Sequence, residues 1–171
     1  MDRYTAISIA AAAAIAAPFA VSGADIVGAE QMQYRWDSPG MFSFFKMATD
    51  GSLEFCNTLP FWASFESMDI TMYYQNNLLG TYHVGPLTME PLASSVHKGT
   101  FRSDHIASAH SIFMTLDFGI ADGEAGIDPK QFAVQTTVST PILGLIPYHT
   151  TSQTTGLGFD QLMRADDLYC N

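Results

Sequence analysis

The sequence predicts an all-β protein: an antiparallel β-sandwich of about seven strands over residues 25–171, behind an N-terminal hydrophobic segment over residues 1–24. Three observations lead there. Short runs alternate apolar and polar residues with the period of a strand. Gly, Pro and Asn signals separate those runs by roughly 8–20 residues. No βαβ alternation, internal repeat, coiled coil or second hydrophobic span is visible, and these would signal other architectures.

The chain has 171 residues, 47% of them hydrophobic, which suits one domain with enough apolar side chain to fill a core. The first 24 residues read as a targeting segment. Arg3 supplies a positive charge, residues 4–24 carry none, and Ala10–Ala14 runs on into Ile15, Ala16 and Ala17. Ser22-Gly23-Ala24 puts small residues where a signal peptidase needs them, before Asp25. The competing reading is a retained anchor, since a helix over residues 4–24 would span about 30 Å of bilayer. Alanine is weakly hydrophobic and Pro18 interrupts the run, which favours cleavage. Both readings place residues 25–171 outside the cytoplasm. The third is an ordinary buried Ala-rich helix.

The strands follow in order. After Asp25 comes a polar approach through Tyr34-Arg35-Trp36, and Pro39-Gly40 marks a turn. Met41 to Met47 is aromatic-rich and reads as a first strand. Asp50-Gly51 turns the chain, and Leu53 and Phe55 then alternate with Glu54 and Cys56. Ile70, Met72 and Tyr74 share one face of the next strand, and Asp69, Thr71 and Tyr73 the other. Gln75-Asn76-Asn77 suits a tight hairpin turn, because Asn tolerates the left-handed backbone. Tyr82 and Val84 alternate with Thr81 and His83 on the return strand. Ser94 to Phe101 is a Ser-rich strand, and residues 103–110 form a loop or one helical turn. Ile112, Met114 and Leu116 alternate with Phe113, Thr115 and Asp117, which predicts another strand. Gly119 to Pro129 reads as a loop. Phe132, Val134, Thr136 and Val138 form a further strand face. Pro141, Gly144 and Pro147 imply a bend or a sheet edge. Tyr148 to Thr155 reads as the last strand. Residues 159–169 suit a short helix with Phe159, Leu162, Met163 and Tyr169 inward.

Residues 52–101 carry a recognisable string. It runs through Leu53-Glu54-Phe55-Cys56-Asn57, Pro60, Phe65-Glu66-Ser67-Met68-Asp69-Ile70-Thr71-Met72-Tyr73-Tyr74, Leu79-Gly80 and Leu92-Ala93-Ser94-Ser95. Thr140-Pro141-Ile142-Leu143-Gly144-Leu145-Ile146-Pro147 extends it. This resembles the type-2 late-embryogenesis-abundant family, the water-stress and hypersensitive-response domain. The family has an Asn-Pro step where this chain has Asn57-Thr58 and reaches proline only at Pro60, so the loop length differs. The resemblance implies an immunoglobulin-like or fibronectin-like sandwich. It implies stress-protective, binding or accessory roles, and no catalytic residues.

Seven Lys or Arg against seventeen Asp or Glu give a net charge of −10. Nucleic acids and anionic membranes both demand basic clusters, and this chain has none. Acidity keeps such a chain soluble. The two cysteines, Cys56 and Cys170, suggest a disulfide in an oxidising compartment. Two free thiols, one buried and one on the tail, are the alternative. No CxxC pair exists for zinc.

His83, His97, His105, His110 and His149 offer imidazoles for copper or zinc, but a ligand set needs convergence across strands. Asp117, Asp122, Glu124 and Asp128 crowd one stretch, yet their spacing does not match a calcium-binding loop. A solvated acidic loop is the simpler expectation, so neither a metal nor a cofactor is assigned. Gly-x-Ser-x-Gly, Gly-x-Gly-x-x-Gly, His-Glu-x-x-His and the phosphate-binding P-loop are all absent from the sequence. Trp36, Trp62, Phe61 and Phe65 suit the core better than an exposed patch. The expected function is a non-catalytic extracytoplasmic binding or stress-protective module, with an unidentified protein or envelope component as partner. A membrane-anchored accessory subunit of an envelope complex is the alternative. A metal-binding protein or small hydrolase is more distant.

Overall fold

A computed structural model of the protein describes residues 21–38, 40–122, 127–142, 145–165, 168 and 170. Residues 1–20, and with them most of the targeting segment, lie outside the described residues. Residues 21–31 are helical (α1). The strands are β1 (Gln33–Trp36), β2 (Ser52–Cys56), β3 (Ala63–Phe65), β4 (Ser67–Tyr74), β5 (Asn77–Val84), β6 (Leu87–Met89), β7 (Ser94–Lys98), β8 (Thr100–Arg102), β9 (Phe132–Ile142) and β10 (Ile146–Thr155). Three further helices are α2 (Phe44–Asp50), α3 (Ile106–Asp122) and α4 (Gly156–Met163).

The strands pair antiparallel throughout. They form a three-stranded sheet in the order β1-β2-β7, a five-stranded sheet in the order β10-β9-β4-β5-β8, and a two-stranded ladder, β3-β6. The inner face of the five-stranded sheet carries Met68, Ile70, Met72, Tyr82, Phe132 and Val134, all buried. Its outer face is polar, with Thr71 bonded to Thr81 at 3.1 Å and Asp69 to His83 at 2.7 Å. Side chains bridge the two larger sheets. The Tyr34 hydroxyl meets Thr136 Oγ1 at 3.1 Å, and the Tyr82 hydroxyl donates to the Gly51 carbonyl at 2.8 Å. The result is mostly antiparallel sheet with a few helices, an arrangement consistent with a β-sandwich.

The predicted hairpin is β4–β5. Gln75 and Asn76 make its two-residue turn with φ of 50° and 63°, the doubly left-handed geometry whose twist matches that of the strands. Cys56 and Cys170 are joined in a disulfide, with Cα atoms 5.5 Å apart.

Several expected elements differ. Met41 to Met47 is not a strand: Phe44–Asp50 is helical, with Phe44 and Met47 buried one turn apart. Ser43 caps that helix by accepting from the Lys46 N–H at 3.1 Å, and Asp117 accepts from the Phe44 and Phe45 N–H groups at 2.9 and 3.0 Å. The strand expected at residues 112–117 is helix instead, because α3 runs from Ile106 to Asp122 and takes in the helical turn allowed for within 103–110. Its buried hydrophobic side chains include Ala109, Phe113 and Leu116, the i, i+4, i+7 spacing of a helix. Met114 and Phe118 are exposed instead. The polar approach expected after Asp25 is helical, and Ala29 is buried in the core. Ser22-Gly23-Ala24 lies within that same helix, with Ser22 buried.

In α4, Phe159 and Met163 point inward as expected, whereas Leu162 is exposed; Tyr169 lies outside the described residues. Phe42, Phe44, Phe113, Phe132 and Phe159 form one aromatic cluster of edge-on, tilted and stacked pairs where α2, α3 and α4 meet β9. Trp36 and Phe65 are core residues, but Trp62 is 55% exposed.

Candidate functional site

The inner face of β10 is not apolar. Tyr148, Thr150 and Ser152 occupy it. Helix α1 crosses this edge of the sheet, held by Glu30. Its Oε1 accepts from the Tyr148 hydroxyl at 2.8 Å and from Thr150 Oγ1 at 3.0 Å. At the other side of the helix Gly28 packs on β3, where a Cβ would meet that of Ala63 at 2.7 Å. Asp25 accepts from the Ser64 hydroxyl at 2.9 Å. A helix bridging an open sheet edge does not fill the space beneath it.

That space is a cleft of about 140 Å³. Ala29, Met32, Phe55, Phe65, Met68 and Val138 supply its apolar walls. Five hydroxyl side chains also line it, besides the phenol of Tyr34. Tyr34 and Thr136 satisfy each other. Burial pushes the Tyr34 phenol up, against a smaller opposing pull from Thr136, so it stays protonated at neutral pH. Thr140 is different. It is only 3% exposed, it lines the cleft, and its Oγ1 has no hydrogen-bond partner among the described residues. An unpaired buried hydroxyl costs roughly 1–3 kcal/mol. A hydrogen-bonding guest in the cleft would recover part of that.

The residues singled out from sequence do not converge here. His83 pairs with Asp69 on the outer sheet face, His149 with Ser139 at 2.8 Å, and His97 with Ser95 at 3.0 Å. His105 is exposed, and His110 packs edge-on against Phe45. Asp117 is not part of a loop but caps α2, and burial raises its carboxyl above the usual range. Asp128 accepts from the Lys130 N–H at 3.0 Å; Glu124 lies outside the described residues. Among the described residues no group of three or more His, Cys, Asp or Glu side chains is placed to hold a metal. No described helix is long and apolar enough to cross a membrane.

Sequence reasoning did not assemble the cleft. One signal was present: Thr136 falls in phase with Phe132 and Val134, and Tyr148, Thr150 and Ser152 continue a hydroxyl-rich face on the next strand.

No family model matches this chain, and no curated protein does. Among solved structures, it is similar to a protein from Archaeoglobus fulgidus at 13% identity, covering 73% of this chain and 94% of that one, with a TM-score of 0.33. It is also similar to a β-glucuronidase from Bacteroides uniformis at 13% identity, covering 75% of this chain and 13% of that one, with a TM-score of 0.30.

Proposed function

We propose that this chain is a non-catalytic extracytoplasmic binding module, an immunoglobulin-like or fibronectin-like sandwich that takes a small guest beneath α1. The observation that carries this reading is the unpaired, buried Thr140 hydroxyl in an otherwise largely apolar cleft. Ligand sites commonly have this composition: apolar walls and a few placed polar groups.

Two features support the wider setting. The Cys56–Cys170 bond is compatible with an oxidising compartment. Within the string that resembles the type-2 late-embryogenesis-abundant family, Asn57 holds two bends together. That side chain is buried, donates to the Phe61 and Glu90 carbonyls at 2.8 and 2.9 Å, and accepts from the Leu59 N–H at 3.1 Å. It ties the Pro60 loop to the Pro91-Leu92-Ala93 bend; a stress-protective accessory role is what the resemblance by itself implies.

The test is a titration of isotope-labelled protein with benzene, followed by backbone amide shifts. Saturable shifts centred on Thr136, Val138 and Thr140 are expected. Shifts that are absent, or spread evenly over the surface, overturn the reading. The second reading is a membrane-anchored accessory subunit, favoured by the uncharged residues 4–20 that lead into the helix at residue 21. Intact mass of the native protein separates the two. A soluble species lacking residues 1–24 supports release, and a membrane-bound species retaining them supports anchoring.

A further inference from the structure

From the charge and hydroxyl placement in the cleft, we infer that its guest is a small monocyclic aromatic amine, bound as the cation. This rests on the cleft being a binding site and adds what it selects. Volume sets the body of the guest. An apolar cavity of about 150 Å³ accepts one benzene ring, and this one measures about 140 Å³. Met32 and Met68 bring thioethers, and Phe55 and Phe65 bring ring faces or edges. Sulfur and aromatic groups both favour a flat aromatic partner over an alkyl chain of equal volume.

Charge sets the head. Among the described residues no Lys, Arg or His lines the cleft, and Glu30 is the one carboxylate that does. Thr140 stands opposite Tyr148 in the β9–β10 ladder, and Thr150 is its diagonal neighbour. Both Tyr148 and Thr150 donate to Glu30. Glu30 is exposed and marks the mouth of the cleft, and Thr140, only 3% exposed, lies deeper within it. An ammonium on a two-carbon tail would donate to Thr140 Oγ1 and lie beside Glu30, while its ring rests among the Met and Phe side chains. A carboxylate in the same place would meet Glu30 with no cation to balance it. The net charge of −10 adds a field that concentrates cations and repels anions.

Three probes of one skeleton test this: 2-phenylethylamine, 2-phenylethanol and phenylacetate, titrated by calorimetry and amide shifts at pH 7. The amine is expected to bind tightest, the alcohol about threefold to fivefold weaker, as for one partly exposed ion pair, and phenylacetate weakest. Glu30→Gln is expected to erase the gap between amine and alcohol. Thr140→Val is expected to weaken both. Glu30 is on the surface, so that variant keeps the test available even if Thr140→Val fails to fold. If benzene binds but the amine shows no advantage over the alcohol, or Glu30→Gln leaves that advantage intact, the inference fails and the binding reading stands. If benzene and all three probes fail to saturate, both fail.

Discussion

Replacing Tyr82 with phenylalanine removes a single oxygen from the seam between the two larger sheets. The side chain is fully buried. Its hydroxyl donates to the Gly51 carbonyl at 2.8 Å and accepts from the Gly99 N–H at 2.7 Å. The ring is threaded between those two glycines. A Cβ on Gly99 would lie 2.3 Å from a ring carbon, and one on Gly51 would lie 2.8 Å from another. In the variant the stranded groups keep one weak alternative, the Gly99 N–H to the Gly51 carbonyl at 3.4 Å. Two hydrogen bonds at about 1 kcal/mol each, partly offset by that alternative, put the loss at about 1–2 kcal/mol. For a chain of this size that lowers the melting temperature by roughly 2–8 °C.

The assay is urea unfolding followed by circular dichroism at pH 7, with the disulfide intact and an unchanged m-value. Alkaline pH supplies a second arm. Burial pushes the Tyr82 phenol up to about 12, helped by the charges of Asp37 and Asp50 and opposed by the Gly99 N–H. The folded state therefore disfavours the tyrosinate. The contribution of the neutral phenol is whole below about pH 10 and is lost as pH rises through about 12. The advantage of wild type over Tyr82→Phe should shrink across that interval. A loss under 0.5 kcal/mol (roughly the scatter of ordinary surface substitutions), or an advantage that grows with pH, would refute the keystone role of this hydroxyl.

Two other substitutions probe separate ties. Asp117→Asn should cost about 1–3 kcal/mol, because Oδ1 accepts from Phe44 and Oδ2 from Phe45, so either amide orientation turns an NH2 toward a backbone N–H. Burial, the main cause, raises the Asp117 carboxyl, so its neutral form adds stability below the ordinary carboxylate range that is lost as pH rises through the raised value. The cost measured by urea unfolding should then be larger near pH 3.5 than at pH 7. Cys170→Ser opens a loop with a sequence separation of 114. It should lower unfolding stability by about 2–5 kcal/mol, and an unchanged urea midpoint would show that the bridge adds nothing.

Local pattern was enough where one strand's two faces differ in polarity. Met68, Ile70 and Met72 are buried, and the residues between them are partly exposed, so the alternation that predicts β4 also decides its face. The β4–β5 turn was equally legible, because a left-handed pair at Gln75-Asn76 is a local backbone requirement. Local pattern failed at Ile112-Phe113-Met114-Thr115-Leu116, where apolar residues satisfy a strand period and a helix period at once. There the choice belongs to neighbours. Phe113 and Leu116 are buried, with the Phe113 ring against Phe44, Phe101 and Phe132, and Asp117 closes the end of α2.

Chemistry divides in the same way. Composition and motif content indicated an acidic chain with two cysteines and no familiar catalytic signature, properties that need no coordinates. The cleft needs α1, β9 and β10 at once, and the bonds that seat Glu30 on Tyr148 and Thr150 join residues separated by 118 and 120 positions. A side chain's partner at such separations depends on how sheets and helices pack, and a one-dimensional period carries no record of that packing.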